Sequence, residues 1–150
     1  MTMDLPKLPL EARDLLAFLP HRQPFLLIDR LVELDPGVSA AGIKNISISD
    51  PVFAGHFPGE PIYPGVMLIE AACHVCGLAM IDESAHQWRR VYLAGVKRFQ
   101  FVHMAKPGDQ LLIRGTKKVA FGSLAEFTVT ISAGRTAVAD GQIALAFGED

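Results

Sequence analysis

The stretch GHFPGEPIYPGVMLIEA, residues 55–71, consists of a proline- and glycine-rich loop followed by an apolar helical segment. His56 lies in the stiffened loop, and Glu70 lies among Val, Met, Leu, Ile and Ala. Between residues 65 and 81 the only ionisable side chains apart from two cysteines are Glu70 and His74. A helix this apolar is expected to be buried nearly all round. A carboxyl buried there needs a structural partner or a chemical task, because burial without either is costly.

Length, charge and composition limit the class of protein. A chain of 150 residues is long enough to bury a substantial core. Its formal charge of -2 gives no basic footprint for nucleic acid, so the expected partner is a small molecule or a protein. The N-terminal stretch MTMDLPKLPLEARD lacks the apolar core of a signal peptide, and Glu70 and His74 argue against a membrane span over 65–81. We expect a soluble, cytoplasmic protein, with residues 1–150 forming one domain.

Hydrophobic periodicity and turn residues predict one long helix and about six strands. A short helix is expected over 9–18, an irregular loop over 49–64, and the long helix from Gly65 to about Asp82. The expected strands cover residues 25–34, 38–48, 91–101, 110–120, 124–133 and 135–147. Helix and sheet each need apolar cover, so the antiparallel sheet is expected to curl around the helix in an α+β fold.

Two cysteines, Cys73 and Cys76, lie three residues apart in the helical segment. This spacing places both small side chains on one face, where they favour close helix packing. A zinc site would need two further ligands at suitable spacing, and His74 alone does not complete one. The sequence therefore predicts no metal site.

The start of the long helix is suited to carbonyl chemistry. A helix beginning at Gly65 presents unpaired backbone N–H groups and the positive end of its dipole to a developing oxyanion. A nearby imidazole can then take a proton from the α-carbon, and a protonated carboxyl can donate to a leaving hydroxyl. His56 and Glu70 would carry out reversible β-elimination of water. The structural alternatives are a loop histidine bonded to its neighbours and a buried carboxyl satisfied by backbone or by His74.

The quoted stretch closely resembles the signature of the 3-hydroxyacyl-acyl-carrier-protein dehydratases of type II fatty-acid synthesis, which have the hot-dog fold. The resemblance extends to LPHRQPFLLIDRLVEL at 19–34, IKNIS at 43–47 and KPGDQLLI at 106–113. It implies dehydration of a (3R)-3-hydroxyacyl thioester on acyl carrier protein to the trans-2-enoyl product, in fatty-acid or related polyketide or polyene synthesis. Glu rather than Asp at position 70 is typical of the branch that does not isomerise the product.

The resemblance also implies roles for individual residues. His56 is the base, Glu70 is the acid, and the backbone N–H of Gly65, together with that of Val66, polarises the thioester carbonyl. In this family the two side chains of one site come from two subunits, which implies a homodimer, often assembled further as a trimer of dimers. No metal or organic cofactor is implied, because phosphopantetheine arrives as part of the substrate.

An acyl chain needs an apolar tunnel, and an acidic carrier protein needs basic groups around the tunnel mouth. The candidates for the tunnel wall are Met67, Leu68, Phe99 and Phe101. The candidates for contact with the carrier protein are Lys97, Arg98, Lys117 and Lys118. Plain core packing and a solvated strand face are the alternative interpretations of these two sets.

The chain departs from the family pattern at His74, where the family usually has Gln. Positions 70 and 74 are one helical turn apart, so the imidazole can hydrogen-bond the carboxyl of Glu70 and act as a modulator of the acid. The segment from Phe99 to the turn at 107–109 is also longer than usual, so the family's chain-length preference does not carry over.

Two other functions remain open on the sequence. A hot-dog acyl thioesterase would use the carboxylate to activate water, with the same helix start holding the carbonyl. A non-catalytic or half-catalytic subunit would instead pair with a related dehydratase in a specialised pathway. The histidine loop argues against the first, and the presence of both His56 and Glu70 argues against the second.

Overall fold

One long helix packs against one antiparallel sheet in the computed structural model, which describes residues 6–81 and 90–148. The helices are α1 at Ala12–Leu15 and α2 at Gly65–Ala79, with a 3-10 helix at Pro51–Ala54. The strands are β1 Arg30–Asp35, β2 Ser39–Asn45, β3 Val91–Phe101, β4 Gln110–Phe121, β5 Leu124–Ala133 and β6 Thr136–Phe147. The α+β class predicted from periodicity is confirmed.

The strands form a single sheet in the order β1-β2-β4-β5-β6-β3, and every neighbouring pair is antiparallel. Alternate residues of the central strands β4 and β5 point into the core, as expected for a sheet with one apolar face. The core residues of these two strands include Leu111, Ile113, Phe127, Val129 and Ile131. β1 and β3 are the two edges of the sheet.

The helix α2 lies close to β2 and β4 because glycines on these strands leave room for it. A Cβ on Gly42 would lie 2.9 Å from a methyl carbon of Val75, and a Cβ on Gly115 would collide with the Sγ of Cys76. Cys73 and Cys76 are both buried free thiols. The predicted role in close helix packing is confirmed for Cys76, which lies against Gly115.

The first third of the chain differs from the sequence prediction. The helix expected over 9–18 is a single turn, since Leu10 instead exchanges backbone hydrogen bonds with Leu31. The strand expected over 25–34 begins only at Arg30, because Leu27 and Ile28 are buried one after the other and do not alternate.

Smaller differences occur at other element ends. The loop expected over 49–64 contains the 3-10 helix, which begins where the Asp50 carboxylate accepts a hydrogen bond from the Val52 N–H at 2.9 Å. β2 ends at Asn45 rather than at residue 48, and β4 and β6 each differ by one residue from prediction. Asp82, the expected end of the long helix, lies outside the described residues. Within the described ranges, no helix reaches the length and apolar character of a membrane span.

Candidate active site

The loop before α2 holds the ring of His56 in one orientation. Its Nδ1 lies 2.7 Å from the carbonyl oxygen of Ile62, and the Ile62 N–H donates back to the His56 carbonyl at 3.1 Å. A carbonyl oxygen only accepts, so Nδ1 carries the hydrogen and the neutral ring keeps a lone pair on Nε2. His56 is therefore bonded to its own loop, as the structural interpretation of this histidine expected. The same bond selects the tautomer with a free Nε2, which a general base requires.

Aromatic packing fixes the rest of this loop. The ring of Phe57 stacks on that of His56 with centroids 4.1 Å apart. Tyr63 is buried, donates its main-chain N–H to Ala105 at 2.8 Å, and meets the ring of Phe53 edge-on at 6.2 Å. The loop is thus tied to both the 3-10 helix and the segment before β4, which restricts movement of His56.

The start of α2 has no side-chain cap. Pro64 is the N-cap residue and makes no capping hydrogen bond, and Val66 in the first turn is 73% exposed. The ring of Phe101 covers Gly65, since a Cβ at that position would lie 2.9 to 3.2 Å from three ring atoms. Gly65 is therefore required by the close approach of a side chain as well as being suited to the approach of a substrate.

Glu70 lies in the second turn of α2 beside two histidines. Its Oε1 lies 3.5 Å from His74 Nδ1 and 3.7 Å from His21 Nε2, and its side chain is 23% exposed. The closer partner of His74 Nδ1 is the main-chain oxygen of Glu70, at 2.7 Å. The other ring nitrogen, Nε2, lies 2.9 Å from the carbonyl oxygen of Phe25. His74 is fully buried. Its two ring nitrogens connect α2 to the segment before β1.

His21 is the site residue that sequence reasoning missed. Its ring stacks on that of His74 with centroids 4.0 Å apart and planes 27° from parallel. Burial, and then the neighbouring His74, lower the pKa of His21 to about 4, so its ring is neutral at pH 7. Its Nδ1 is buried with no hydrogen-bond partner in the described part of the chain. The only sequence signal for it was its position within the resembling segment at 19–34.

The cluster of His21, Glu70 and His74 offers three ligand atoms within 4.8 Å of one another, a spacing that a metal ion can accept. The orientation is less suitable than the spacing. Both nitrogens of His74 face carbonyl oxygens, and stacked rings direct their in-plane lone pairs side by side rather than toward one point. The two histidines lie beside the Glu70 carboxylate, and the three side chains do not present a tetrahedral ligand set.

The four tunnel candidates divide between core and surface. Leu68 belongs to the buried core, and Met67 packs against it. Phe99 is partly buried over Gly141, whereas Phe101 is 47% exposed at the start of α2. Their two rings lie 5.4 Å apart. Of the four, Phe101 lies directly against the proposed carbonyl site.

The four basic candidates lie on two strands that are not neighbours in the sheet. β3 carries Lys97 and Arg98, and β4 carries Lys117 and Lys118. Lys97 lines a surface pocket of about 260 Å³. Lys117 donates its main-chain N–H to the β1–β2 turn, and Gly37 of that turn donates to Ala79 at the far end of α2. Within one chain, Lys117 is therefore near the opposite end of the helix from Gly65.

The sequence has relatives of known classification. Residues 19–147 match the model of the FabA-like domain family. The 3-hydroxyacyl-acyl-carrier-protein dehydratase FabZ of Syntrophomonas wolfei is 44% identical over 142 residues, which cover 95% of this chain and 99% of that protein. The protein of the same name from Caldicellulosiruptor bescii is 36% identical over 132 residues, which cover 88% of this chain and 94% of that protein.

Solved structures share the fold at much lower identity. The dehydratase heterocomplex ApeI:P from Xenorhabdus doucetiae matches with a TM-score of 0.74 and 17% identity, over 97% of this chain and 94% of that chain. A hypothetical thioesterase with coenzyme A from Streptococcus pneumoniae matches with a TM-score of 0.61 and 12% identity, over 80% and 85%. The hot-dog fold implied by the resemblance is confirmed. Because a dehydratase and a thioesterase share it, the fold alone does not choose between the two activities.

Proposed function

Because this chain belongs to the FabA-like family, we propose that it removes water from a (3R)-3-hydroxyacyl thioester on acyl carrier protein, giving the trans-2-enoyl thioester. Relatives at 44% and 36% identity, matched along almost their whole length, are named for this dehydratase activity. The observation in the structure that supports it most is the ring of His56. Its hydrogen bond to Ile62 leaves the Nε2 lone pair free to act as the base.

In the proposed reaction, His56 Nε2 takes the α-proton while the first-turn N–H groups of Gly65 and Val66 bind the thioester oxygen. The electron pair of the broken Cα–H bond forms the double bond as the C3–O bond breaks. Glu70, protonated at the start, gives its proton to the departing hydroxyl, which leaves as water. The step ends with His56 protonated and Glu70 ionised, and proton exchange with solvent restores the site.

The complete site takes His56 from one protomer and Glu70 from its partner in this proposal. The side chain of His56 bonds within its own loop, and the described polar neighbours of the Glu70 carboxylate are His21 and His74. A second copy of the chain is thus the expected source of the missing half, as a homodimer or a trimer of dimers in the cytoplasm. No metal or organic cofactor takes part, since the α-proton, the hydroxyl and the thioester oxygen are each served by groups of the chain.

The carrier protein supplies the phosphopantetheine arm and docks on basic residues. Lys97 and Arg98 are the better candidates of the predicted set, because β3 also carries Phe101, which lies over the helix start. Lys117 and Lys118 reach the same mouth only if the second protomer brings them there. The acyl chain then passes Phe101 and Phe99 toward the core side of Met67 and Leu68.

Hydration of a crotonyl thioester, followed as loss of enoyl absorbance, tests this function. His56→Ala and Glu70→Gln are each expected to lower the rate about 100-fold or more, because each removes a proton-transfer group. Arg13→Gln, at a side chain of α1 that is 91% exposed, serves as the control and is expected to keep full activity. Undiminished turnover in either site variant would remove that residue from the mechanism. Release of free thiol from the same thioester would instead identify a thioesterase.

A further inference from the structure

The two hydrogen bonds of His74 specify its protonation state. Nδ1 lies 2.7 Å from the main-chain oxygen of Glu70, and Nε2 lies 2.9 Å from the main-chain oxygen of Phe25. Carbonyl oxygens only accept hydrogen bonds, and a neutral imidazole carries only one N–H. Both bonds can be made together only by the imidazolium form. The ring is fully buried, so water does not replace either partner.

We propose that His74 is a buried imidazolium that keeps Glu70 ionised in the resting enzyme and joins the Glu70 turn of α2 to the segment carrying His21 and Phe25. His74 is then a positioning residue of the reaction, since it touches the acid and not the substrate. This inference rests on the proposed function where it concerns the rate, but the charge of the ring is a property of the protein alone.

The surrounding groups accommodate one positive and one negative charge. Oε1 of Glu70 lies 3.5 Å from His74 Nδ1, close enough to stabilise the imidazolium. Burial, followed by the charge on His74, lowers the pKa of His21 to about 4, so the stacked ring adds no second positive charge near pH 7. Burial and then Glu70 raise the pKa of Cys73 to about 12, so this thiol stays neutral. Arg22 directs its guanidinium to three main-chain oxygens in the segment after α1.

The neutral ring of His21 supports the same arrangement. Its Nδ1 is buried without a described partner, and its Nε2 lies 3.7 Å from Oε1 of Glu70. An unpaired buried N–H is costlier than an unpaired acceptor, so the hydrogen belongs on Nε2, facing the carboxylate. Glu70 Oε1 therefore lies near both stacked rings, one charged and one with an N–H directed toward it, and both favour the ionised form.

The charge on His74 affects dehydration and the reverse reaction, addition of water, differently. Dehydration uses protonated Glu70, whereas addition of water to the enoyl thioester begins from ionised Glu70. A fixed cation next to the carboxylate favours the ionised form. The alkaline decline of the dehydration rate should therefore occur at lower pH than it would with an uncharged residue at position 74.

The variant His74→Gln removes the charge but keeps an amide N–H donor toward the carbonyl oxygens. We expect its alkaline limb of dehydration to move upward by about 1 pH unit, with little change in the maximal rate. His21→Gln removes no positive charge, so its limb should stay in place. His74→Leu removes charge and donors together, so it should also lower the maximal rate.

Nitrogen NMR of the histidine-labelled protein without substrate gives a second, direct readout. Both ring nitrogens of His74 are expected to carry hydrogen at pH 7, because both face carbonyl oxygens. A His74 ring with a single N–H at that pH, or identical pH–rate profiles for wild type and His74→Gln, would overturn the inference. A stoichiometric metal ion lost in His74→Gln would also overturn it, by making the cluster a metal site. An inactive protein whose His74 is doubly protonated would refute the proposed function and leave the charge assignment standing.

Discussion

At the scale of the residue, three histidines with the same side chain occupy three different states. His56 donates through Nδ1 and keeps a free Nε2, while both nitrogens of His74 face acceptors. His21 is neutral because burial and a charged neighbour oppose its protonation. Imidazole titrates near neutral pH when unperturbed, so burial and partner carbonyls decide which ring nitrogens carry hydrogen.

The state of His21 predicts a loss of stability in acid. Its pKa is about 4 in the folded chain and near its ordinary value when unfolded, so the unfolded state binds more protons between these values. The stability is complete above about pH 6.5 and declines as the pH falls toward 4. Between about pH 7 and pH 5, urea unfolding should show a loss about 2 kcal/mol larger in wild type than in His21→Gln. The exposed-site variant His103→Gln should behave as wild type, and equal losses in wild type and His21→Gln would contradict the assignment.

The sequence indicated residues whose surroundings are local, and it missed contacts between segments that are far apart in the chain. His56 and Glu70 were predictable because one lies in a stiff loop and the other is isolated in an apolar helix. The bonds of His74 were not predictable, since Phe25 is 49 residues away in the chain. The sequence offered His74 the carboxyl of Glu70, but the ring is nearer the main-chain oxygen. The assigned catalytic roles of His56 and Glu70 remain predictions.

At the scale of the element, β3 is the strand that brings surface residues to the site. Its pairing with β6 shifts register between Lys97 and Gln100, and Arg98 within this interval has a φ of 51°. The irregularity is followed by Phe99 over Gly141 and by Phe101 over Gly65. Alternation predicted the bounds of β3 correctly, but it contains no signal for a register shift, because that depends on the partner strand.

The contact of α2 with β4 predicts opposite effects for two glycines. Gly115→Ala places a methyl group against Cys76 and should lower the free energy of unfolding by about 1 to 3 kcal/mol. Gly77→Ala, on α2 with no described atom within 4 Å of the position that a Cβ would take, is the matched control and should raise it by about 0.5 to 1 kcal/mol. Denaturant unfolding at one protein concentration measures both. Equal effects of the two substitutions would show that the helix and sheet have room between them.

The remaining element boundaries show where sequence patterns stop being informative. β5 matches its prediction because its buried and exposed residues alternate without interruption along most of its length. β1 starts late because Leu27 and Ile28 are both covered, which requires packing on two sides of the segment. The 3-10 helix begins with one hydrogen bond that the Asp50 carboxylate accepts from the Val52 N–H. The proline-rich sequence of this loop did not indicate that bond.

At the scale of the whole molecule, the two edges of the sheet differ in cover. Leu10 exchanges backbone hydrogen bonds with Leu31, so the segment before α1 covers part of the β1 edge. The β3 edge and the residues after it expose a row of apolar side chains. These are Tyr92, Leu93, Val96, Phe101, Val102 and Met104. An uncovered apolar edge favours pairing with another chain, which agrees with the homodimer in the proposed function.

Val96→Lys is expected to weaken that dimer, because Val96 is 46% exposed in the middle of the β3 edge. Sedimentation equilibrium should show a dimer or hexamer for wild type and a larger monomer fraction for the variant. Hydration activity should fall in parallel, since the proposed site takes His56 and Glu70 from different protomers. Phe121→Lys changes an apolar residue that is 85% exposed at the β4–β5 turn, and this control should keep the wild-type dimer. A monomeric wild type with full activity would contradict the shared site.

The ring of Phe101 lying on Gly65 also gives the molecule an internal spectroscopic marker. An aromatic face within van der Waals distance of a glycine shields its α-hydrogens, so their resonances should appear far from those of ordinary glycines. A thioester carbonyl bound at the Gly65 N–H, as in the proposed function, would alter this shielding by moving the ring or the glycine. The α-proton resonances of Gly65 would then report the occupancy of the site and the residence time of the ligand, without any label on the ligand.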